Sequence, residues 1–283
     1  MLGVYVIQAI GRTTYMLIKA RSVVVSRRSR YQQIDVVDTE EFGRVLVLDG
    51  LVQSTEVDEF YYHELLTHPA MVLHPNPRRV LILGGGEGAA LREVLKYKTV
   101  ERAVMVDIDE EVVNVSKEFL VSWHAGAFSD PRAEVVIEDG RTFVERVGEK
   151  FDVVVMDLTD PYGPEIARAL YREDFIKKLS GILTDCGVIS TQAGTSFFYP
   201  EEYDELKRGL EAVFGRVSAF SAWIPSFGYS CSFIVASRGE ELSNLSEEEI
   251  DRRLRSRGVV TRFFSGRTFK ALLAIPEYRK LSN

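Results

Sequence analysis

Apolar and polar positions run in short blocks over the first 55 residues and then change period. Residues 22–26 are rich in valine, residues 31–37 are mixed, and residues 44–48 are apolar and closed by Asp49-Gly50. Asp-Gly between apolar runs is a strong turn signal, so this part is expected to form a small antiparallel sheet. From Asp58 the apolar residues follow helical spacing, with Phe60, Leu65, Leu66 and Met71 on one side, until His74-Pro75-Asn76-Pro77 ends the segment. Pro69 is expected to kink this helix.

An alternation of strand and helix follows. Strands are expected at 80–83, 103–107, 133–137, 151–156 and 188–191, and helices at 89–97, with Leu91, Val94 and Leu95 inward, and at 110–120. Such βαβ alternation predicts an α/β fold with a parallel, doubly wound, Rossmann-like sheet whose ligand lies at the carboxyl ends of the strands. The chain divides into an N-terminal β domain over 1–56 and a catalytic domain over 57–283. The tail over 246–280 reads as an amphipathic helix followed by Phe263, Phe264, Phe269 and Leu272, packing back on the sheet with no chemistry of its own.

Composition narrows the function classes. With 46% hydrophobic and 27% charged residues in 283, the chain has an ordinary globular balance. No apolar stretch approaches the ~20 residues of a bilayer crossing, and no small-residue cleavage site follows the N-terminus, so no membrane association and a cytoplasmic location are expected. A formal charge of −7 argues against nucleic acid, and Arg27, Arg28 and Arg30 read as a solvated strand end. Cys186 and Cys231 stand apart, and the four histidines show no metal-ligand spacing, so neither a disulfide nor a metal is expected.

The chemistry concentrates at strand ends. Gly84 to Gly88 fits G-x-G-x-G after the first strand of the alternation, a loop that lets a ligand approach the backbone at a helix start. Asp107 ends the next strand where an acid can take ribose hydroxyls, with Asp109 as a solvated alternative and helix capping as the plain structural role of both. Glu138-Asp139-Gly140 offers a carboxylate for an adenine amino group, or another cap. Together these describe an adenosyl pocket of the S-adenosylmethionine kind, without a dehydrogenase constellation.

Asp157-Leu158-Thr159-Asp160-Pro161 follows the apolar run 153–156. Two carboxylates so close need solvation, hydrogen bonds or positive charge, which points to a cationic substrate. Glu87 sits in the glycine loop near the tail of an adenosyl ligand, where it repels a carboxylate and welcomes an ammonium, unless it turns to solvent. Two like charges at 4 Å cost about 4 kcal/mol at an effective dielectric of 20.

These residues match a known pattern: over essentially its whole length the chain resembles the polyamine aminopropyltransferases, the spermidine and thermospermine synthases. The matching segments are Ser29-Arg30-Tyr31-Gln32, Val47-Leu48-Asp49-Gly50 with Gln53 and Glu56, and Asp58-Glu59-Phe60-Tyr61-Tyr62-His63-Glu64. They continue through His74 to Pro77, Gly84 to Gly88 with Leu91-Arg92-Glu93-Val94, Asp107 to Glu110, Asp139-Gly140, Asp157 to Pro161 and Gly163-Pro164.

The resemblance implies a methyltransferase-type Rossmann domain behind a small β domain used in oligomer contacts, and a homodimer or homotetramer. It implies that decarboxylated S-adenosylmethionine is a co-substrate, with no resident cofactor, and that a polyamine attacks it to release 5′-methylthioadenosine. Gln32, Gln53, Asp107, Asp139, Gly140, Gly84 and Gly86 would hold the adenosine, and Glu87 and Asp157 the aminopropyl ammonium, with His63 close by. Tyr62, Asp157 and Asp160 would orient the attacking amine, with Gln192 and Phe227 on the acceptor side. Glu87, Leu158, Thr191 to Gly194 and Phe227 resemble the thermospermine synthase branch, so spermidine is the expected acceptor, with putrescine or agmatine as the alternatives. The aromatic segment 197–203 either covers the acceptor channel or begins a surface helix.

Overall fold

The structure, a computed structural model, describes residues 3–163 and 165–279; Pro164 and Lys280 of the expectations above lie outside them. Five strands come first: β1 (Tyr5–Ala9), β2 (Tyr15–Arg28), β3 (Gln33–Thr39), β4 (Arg44–Leu48) and β5 (Leu51–Thr55), antiparallel in chain order. Asp49 (φ 48°) and Gly50 (φ 83°) turn β4 into β5, both in the left-handed region that a two-residue hairpin turn of primed type requires. Strand β2 runs well beyond 22–26, its register slipping between Ala20 and Ser22 and between Val23 and Val25. These irregularities, and outward residues such as Lys19 and Arg21, hide its length from a period-2 reading.

Helix α1 (Glu59–Leu73) links the two sheets. Its apolar residues are buried as expected, yet so are Glu59, His63, Glu64, Thr67 and His68, because the helix is enclosed rather than laid on a surface. It runs through Pro69 without ending, stopping at Leu73 before His74.

The second unit follows the expected alternation. Strand β6 (Arg79–Gly84) leads to α2 (Ala89–Leu95), β7 (Arg102–Asp107), α3 (Glu110–Phe119), α4 (Val121–His124), β8 (Ala133–Ile137), α5 (Gly140–Arg146) and β9 (Phe151–Asp157). Then come α6 (Glu165–Arg168), α7 (Glu173–Gly181), β10 (Leu183–Gln192), α8 (Pro200–Phe214), β11 (Arg216–Ile224), β12 (Tyr229–Ser237), α9 (Glu247–Ser256) and α10 (Gly266–Ala274). Helix α8 starts at Pro200, which fits proline's tolerance in the first turn. The tail forms α9, capped by Ser246, and α10, whose Phe269 is buried in the core with Phe264.

The seven strands lie in the order β11-β12-β10-β9-β6-β7-β8. The five strands expected from the alternation, β10, β9, β6, β7 and β8, are parallel, and β12 and β11, which the sequence reading did not include, close one side as an antiparallel hairpin. The hairpin turns over Pro225 to Gly228, with Gly228 at φ 72°.

Two features place the site. Strands β6 and β9 are neighbours whose following strands lie on opposite sides, so the order reverses between them. Their ends are in register, Gly84 opposite Asp157, and a doubly wound sheet opens its ligand crevice at such a reversal. The five-stranded sheet also leans over this end, since Ile34, Val36, Leu46 and Leu48 share a core with Ala89, Val112, Val115, Leu120 and Trp123.

Candidate active site

The glycine loop and the acidic strand end are built around each other. Gly84 has φ 78°, and a Cβ there would lie 2.1 Å from the Asp157 carbonyl oxygen. Gly85 donates its N–H to that same oxygen at 2.9 Å. At Gly86 a Cβ would meet Asp107 Oδ2 at 2.7 Å. The glycines therefore serve the approach of two carboxylate-bearing strands to the loop, a need that the sequence pattern alone attributes to the ligand.

A cavity of about 430 Å³ opens here, and Gln32, Gln53, Tyr62, Gly84, Gly86, Glu87, Asp107, Asp139, Gly140, Asp157, Asp160, Gln192 and Phe227 all line it. His63 does not; it is 1% exposed and lies behind Glu87 and Asp157.

On the nucleoside side, Asp107 takes the N–H of Asp109 at 2.8 Å, and burial, with Asp109 and Glu87 nearby, pushes its carboxyl up to about 6. Asp109 is buried rather than solvated, which corrects the earlier alternative. It caps α3 through the Glu111 N–H and accepts from Ser29 Oγ at 2.7 Å and Gln32 Nε2 at 3.0 Å. Gln32 is thus pinned by its amide nitrogen. Asp139 caps α5 by accepting the Arg141 N–H at 2.9 Å, and the Arg141 guanidinium holds its carboxyl below the ordinary range. It combines the cap with a place on the cavity wall.

At the centre, the Tyr62 hydroxyl donates to Asp157 Oδ1 at 3.0 Å. Asp157 Oδ2 is buried with no hydrogen-bond partner among the described residues. Burial pushes the Asp157 carboxyl up to about 6; Glu87 and Asp107 add to the rise, and His63 and Tyr62 oppose it. Asp160 also stands at about 6 because of burial, moderated by hydrogen bonds from Tyr162 and Gln192. Buried carboxylates whose proton affinity is raised toward neutral pH, one with an oxygen that no described residue hydrogen-bonds, can both attract cationic groups and accept a proton.

One wall of the cavity is aromatic. Phe227 meets the Tyr62 ring edge-on at 5.7 Å, and Tyr162 stacks on Tyr199 at 3.6 Å. The turn carrying Phe227 is fixed by Asp58, which accepts from the Ser226 N–H at 2.8 Å and the Ser226 hydroxyl at 3.0 Å. Gln192 lines the wall with its polar groups in use: Nε2 donates to the Leu158 carbonyl and the Tyr171 hydroxyl, both at 2.9 Å, and Oε1 accepts the Gly194 N–H.

Comparison with known proteins decides the family. Residues 59–247 match the model described as the spermine/spermidine synthase domain, and residues 9–56 that of the spermidine synthase tetramerisation domain. The chain belongs to the polyamine aminopropyltransferase family. It is 55% identical to a polyamine aminopropyltransferase of Pyrobaculum neutrophilum over 97% of this chain and 96% of the relative. It is 52% identical to polyamine aminopropyltransferase 1 of Hyperthermus butylicus over 94% and 92%. A crystal structure of spermidine synthase in complex with the transition-state analogue AdoDATO superposes with a TM-score of 0.90 at 31% identity, covering 98% of this chain and 93% of that one. Spermidine synthase from Thermotoga maritima gives 0.87 at 30% identity, covering 98% and 92%.

Polyamine aminopropyltransferase activity follows from this membership, with decarboxylated S-adenosylmethionine as co-substrate. Among the described residues no helix is long and apolar enough to cross a membrane.

Several wall residues of this aminopropyltransferase escaped the sequence reading. Tyr162 and Tyr229 line the cavity, and Gln8 and Ala9 reach it from β1. Tyr162 lies between two segments already singled out, so proximity could have flagged it, and Tyr199, within the aromatic segment 197–203, also lines the cavity. Gln8 carried no signal. Its Oε1 accepts the Val52 N–H at 2.7 Å, a contact that exists only once β1 packs against β5.

Proposed function

We propose that this aminopropyltransferase uses Asp157, Tyr62 and Asp160 to orient the attacking amine, and that its acceptor is spermidine, giving thermospermine. The observation that carries the site assignment is the unused Oδ2 of Asp157 beside an Oδ1 already fixed by Tyr62. Gln32, Gln53, Asp107, Asp139, Gly140, Gly84 and Gly86 hold the adenosine, and Glu87 faces the aminopropyl ammonium. Gln192 braces the strand end, and Phe227 shapes the acceptor wall. The two domains divide near residue 56, and the N-terminal sheet, with Ile7, Tyr15 and Leu17 exposed on it, carries the contacts of a homodimer or homotetramer.

The reaction is a displacement. The lone pair of an amine nitrogen forms a bond to the methylene carbon next to the sulfonium; the carbon–sulfur pair returns to sulfur, giving neutral 5′-methylthioadenosine, and the new ammonium sheds one proton. An alkylamine with a reference pKa of about 10.4 must reach its neutral form first, at roughly 4–5 kcal/mol at pH 7. Asp157, raised to about 6, is a stronger base than an ordinary carboxylate, and Tyr62, held protonated by burial and by Asp157, stays a donor that fixes it.

Phe227, which with Glu87, Leu158 and residues 191–194 resembles the thermospermine synthase branch, supports the longer acceptor. The test is incubation with decarboxylated S-adenosylmethionine and putrescine, agmatine, cadaverine, spermidine or norspermidine, followed by separation of products. Thermospermine from spermidine is expected, and activity confined to putrescine or agmatine would overturn the acceptor.

A further inference from the structure

Behind the cavity wall lies a chain of charge that reaches the site only through His63. Its Nε2 is 2.7 Å from Glu87 Oε1 and 3.9 Å from Asp157 Oδ2, and its Nδ1 is 2.9 Å from Glu59 Oε2 and 2.8 Å from the Glu59 carbonyl. Glu59 is gripped at two points by Arg92, with Nη1 to Oε1 at 3.0 Å and Nη2 to Oε2 at 2.9 Å. Arg92 Nε is held by Glu93 at 2.8 Å.

This geometry fixes protons. A forked guanidinium contact keeps Glu59 ionised. Nδ1 faces only acceptors, so it carries hydrogen. Nε2 faces Glu87, so the pair is either an imidazolium with a carboxylate or a neutral ring with a protonated acid. Burial disfavours charge on the ring, but the hydrogen bonds to Glu59 and Glu87, with Asp157 nearby, outweigh it and hold the imidazole protonated well above its ordinary range.

We propose that Glu59 and Arg92 are positioning residues for aminopropyl transfer: without touching either substrate, they hold His63 as the cation that aims Glu87 and offsets the charge beside Asp157. The proposal rests on the reading of this cavity as the aminopropyl site. With the imidazolium present, Glu87 and Asp157 carry one uncompensated negative charge, which matches the single ammonium of the aminopropyl arm. If the pair loses that proton altogether, Glu87 and Asp157 both stand as uncompensated carboxylates, Asp107 lies beyond them, and the proton affinity of Asp157 rises.

The test combines ring protonation with kinetics. Nitrogen NMR of the ligand-free protein with labelled histidine is expected to show the His63 ring doubly protonated through pH 8 in the wild type and titrating at lower pH in Glu59→Gln. The acid limb of the kcat profile in Glu59→Gln is expected to move up by about one pH unit, with about tenfold loss near pH 5, about twofold loss near pH 7 and recovery toward pH 9. Glu59→Asp, which keeps the charge, is expected to restore the wild-type limb in part. A neutral His63 ring in the wild type at pH 7, or a Glu59→Gln acid limb equal to the wild type, would overturn the proposal. Should Glu59→Gln not fold, the wild-type ring state and Glu59→Asp still decide. Absence of methylthioadenosine with every amine would instead sink the functional reading, and the ring measurement stands apart from it.

Discussion

The Tyr62 hydroxyl donates to Asp157 Oδ1 at 3.0 Å and leaves Oδ2, across the same carboxylate, buried and without a hydrogen-bond partner among the described residues. Helix α1 supplies the tyrosine and the end of β9 the aspartate, so the pair exists only because the helix is enclosed above the strand ends. One oxygen fixes the carboxylate, and under the proposed function the other would meet a substrate nitrogen.

Replacing Asp157 by Asn removes the proton acceptor while keeping the shape. We expect kcat to fall by about 10²–10⁴ in steady-state assays of methylthioadenosine release. Near-normal turnover with unchanged affinity for decarboxylated S-adenosylmethionine would refute the role given to Asp157.

The pH profile has a defined sign. Asp157 and Asp160 both titrate at about 6, so activity should drop as pH falls through 6 and protonates them. On the other side it should keep rising above neutrality as the amine loses its proton. A kcat/KM profile flat between pH 5 and 7 would contradict this assignment.

Stability runs the other way. The Asp160 carboxyl, with an ordinary value of 3.8, stands at about 6 in the folded chain, so the folded state holds that proton more tightly than the unfolded one. Its contribution favours folding below about pH 4 and is lost as pH rises through 6. Asp160→Asn should therefore raise the Tm of the ligand-free protein by about 3–5 °C at pH 7.5, corresponding to about 2–3 kcal/mol, and leave it unchanged near pH 4 while activity falls. Calorimetry at the two pH values separates these outcomes.

Gly84→Ala places a methyl 2.1 Å from the Asp157 carbonyl in a residue at φ 78°. Neither strand can give way without breaking the β6–β9 register, so a loss of at least about 2 kcal/mol is expected by denaturant unfolding. A variant as stable as the wild type would show that the loop can shift.

Much of the fold was legible because periodicity records burial. The parallel strands β6, β7 and β9 read as continuous apolar runs, and the Asp49-Gly50 turn followed from its residue types. The hairpin β11–β12 went unread although its pairing is local, with Ala222 opposite Cys231: β12 is buried along nearly all its length, small serines and Cys231 among its buried positions, so no alternation marks it as a strand. Asp109 was expected in solvent because an acid after a strand reads the same whether it is exposed or, as here, buried against Ser29 and Gln32 from the other domain. His63 was placed near the ligand, yet its position behind Glu87 depends on how α1 sits above the glycine loop.

The sequence by itself determined which carboxylates and glycines would stand at the strand ends, since strand period and chain order place those residues before any packing is known. Tertiary structure alone decided their charge states and partners: that Asp157 has one oxygen without a hydrogen-bond partner among the described residues, that His63 is wedged between Glu59 and Glu87, and that Tyr162 and Tyr199 stack in the cavity wall. The reason is physical. Order along a strand is a local property, whereas protonation and hydrogen bonding depend on distances of a few ångströms between segments far apart in the chain, and on the water their packing excludes.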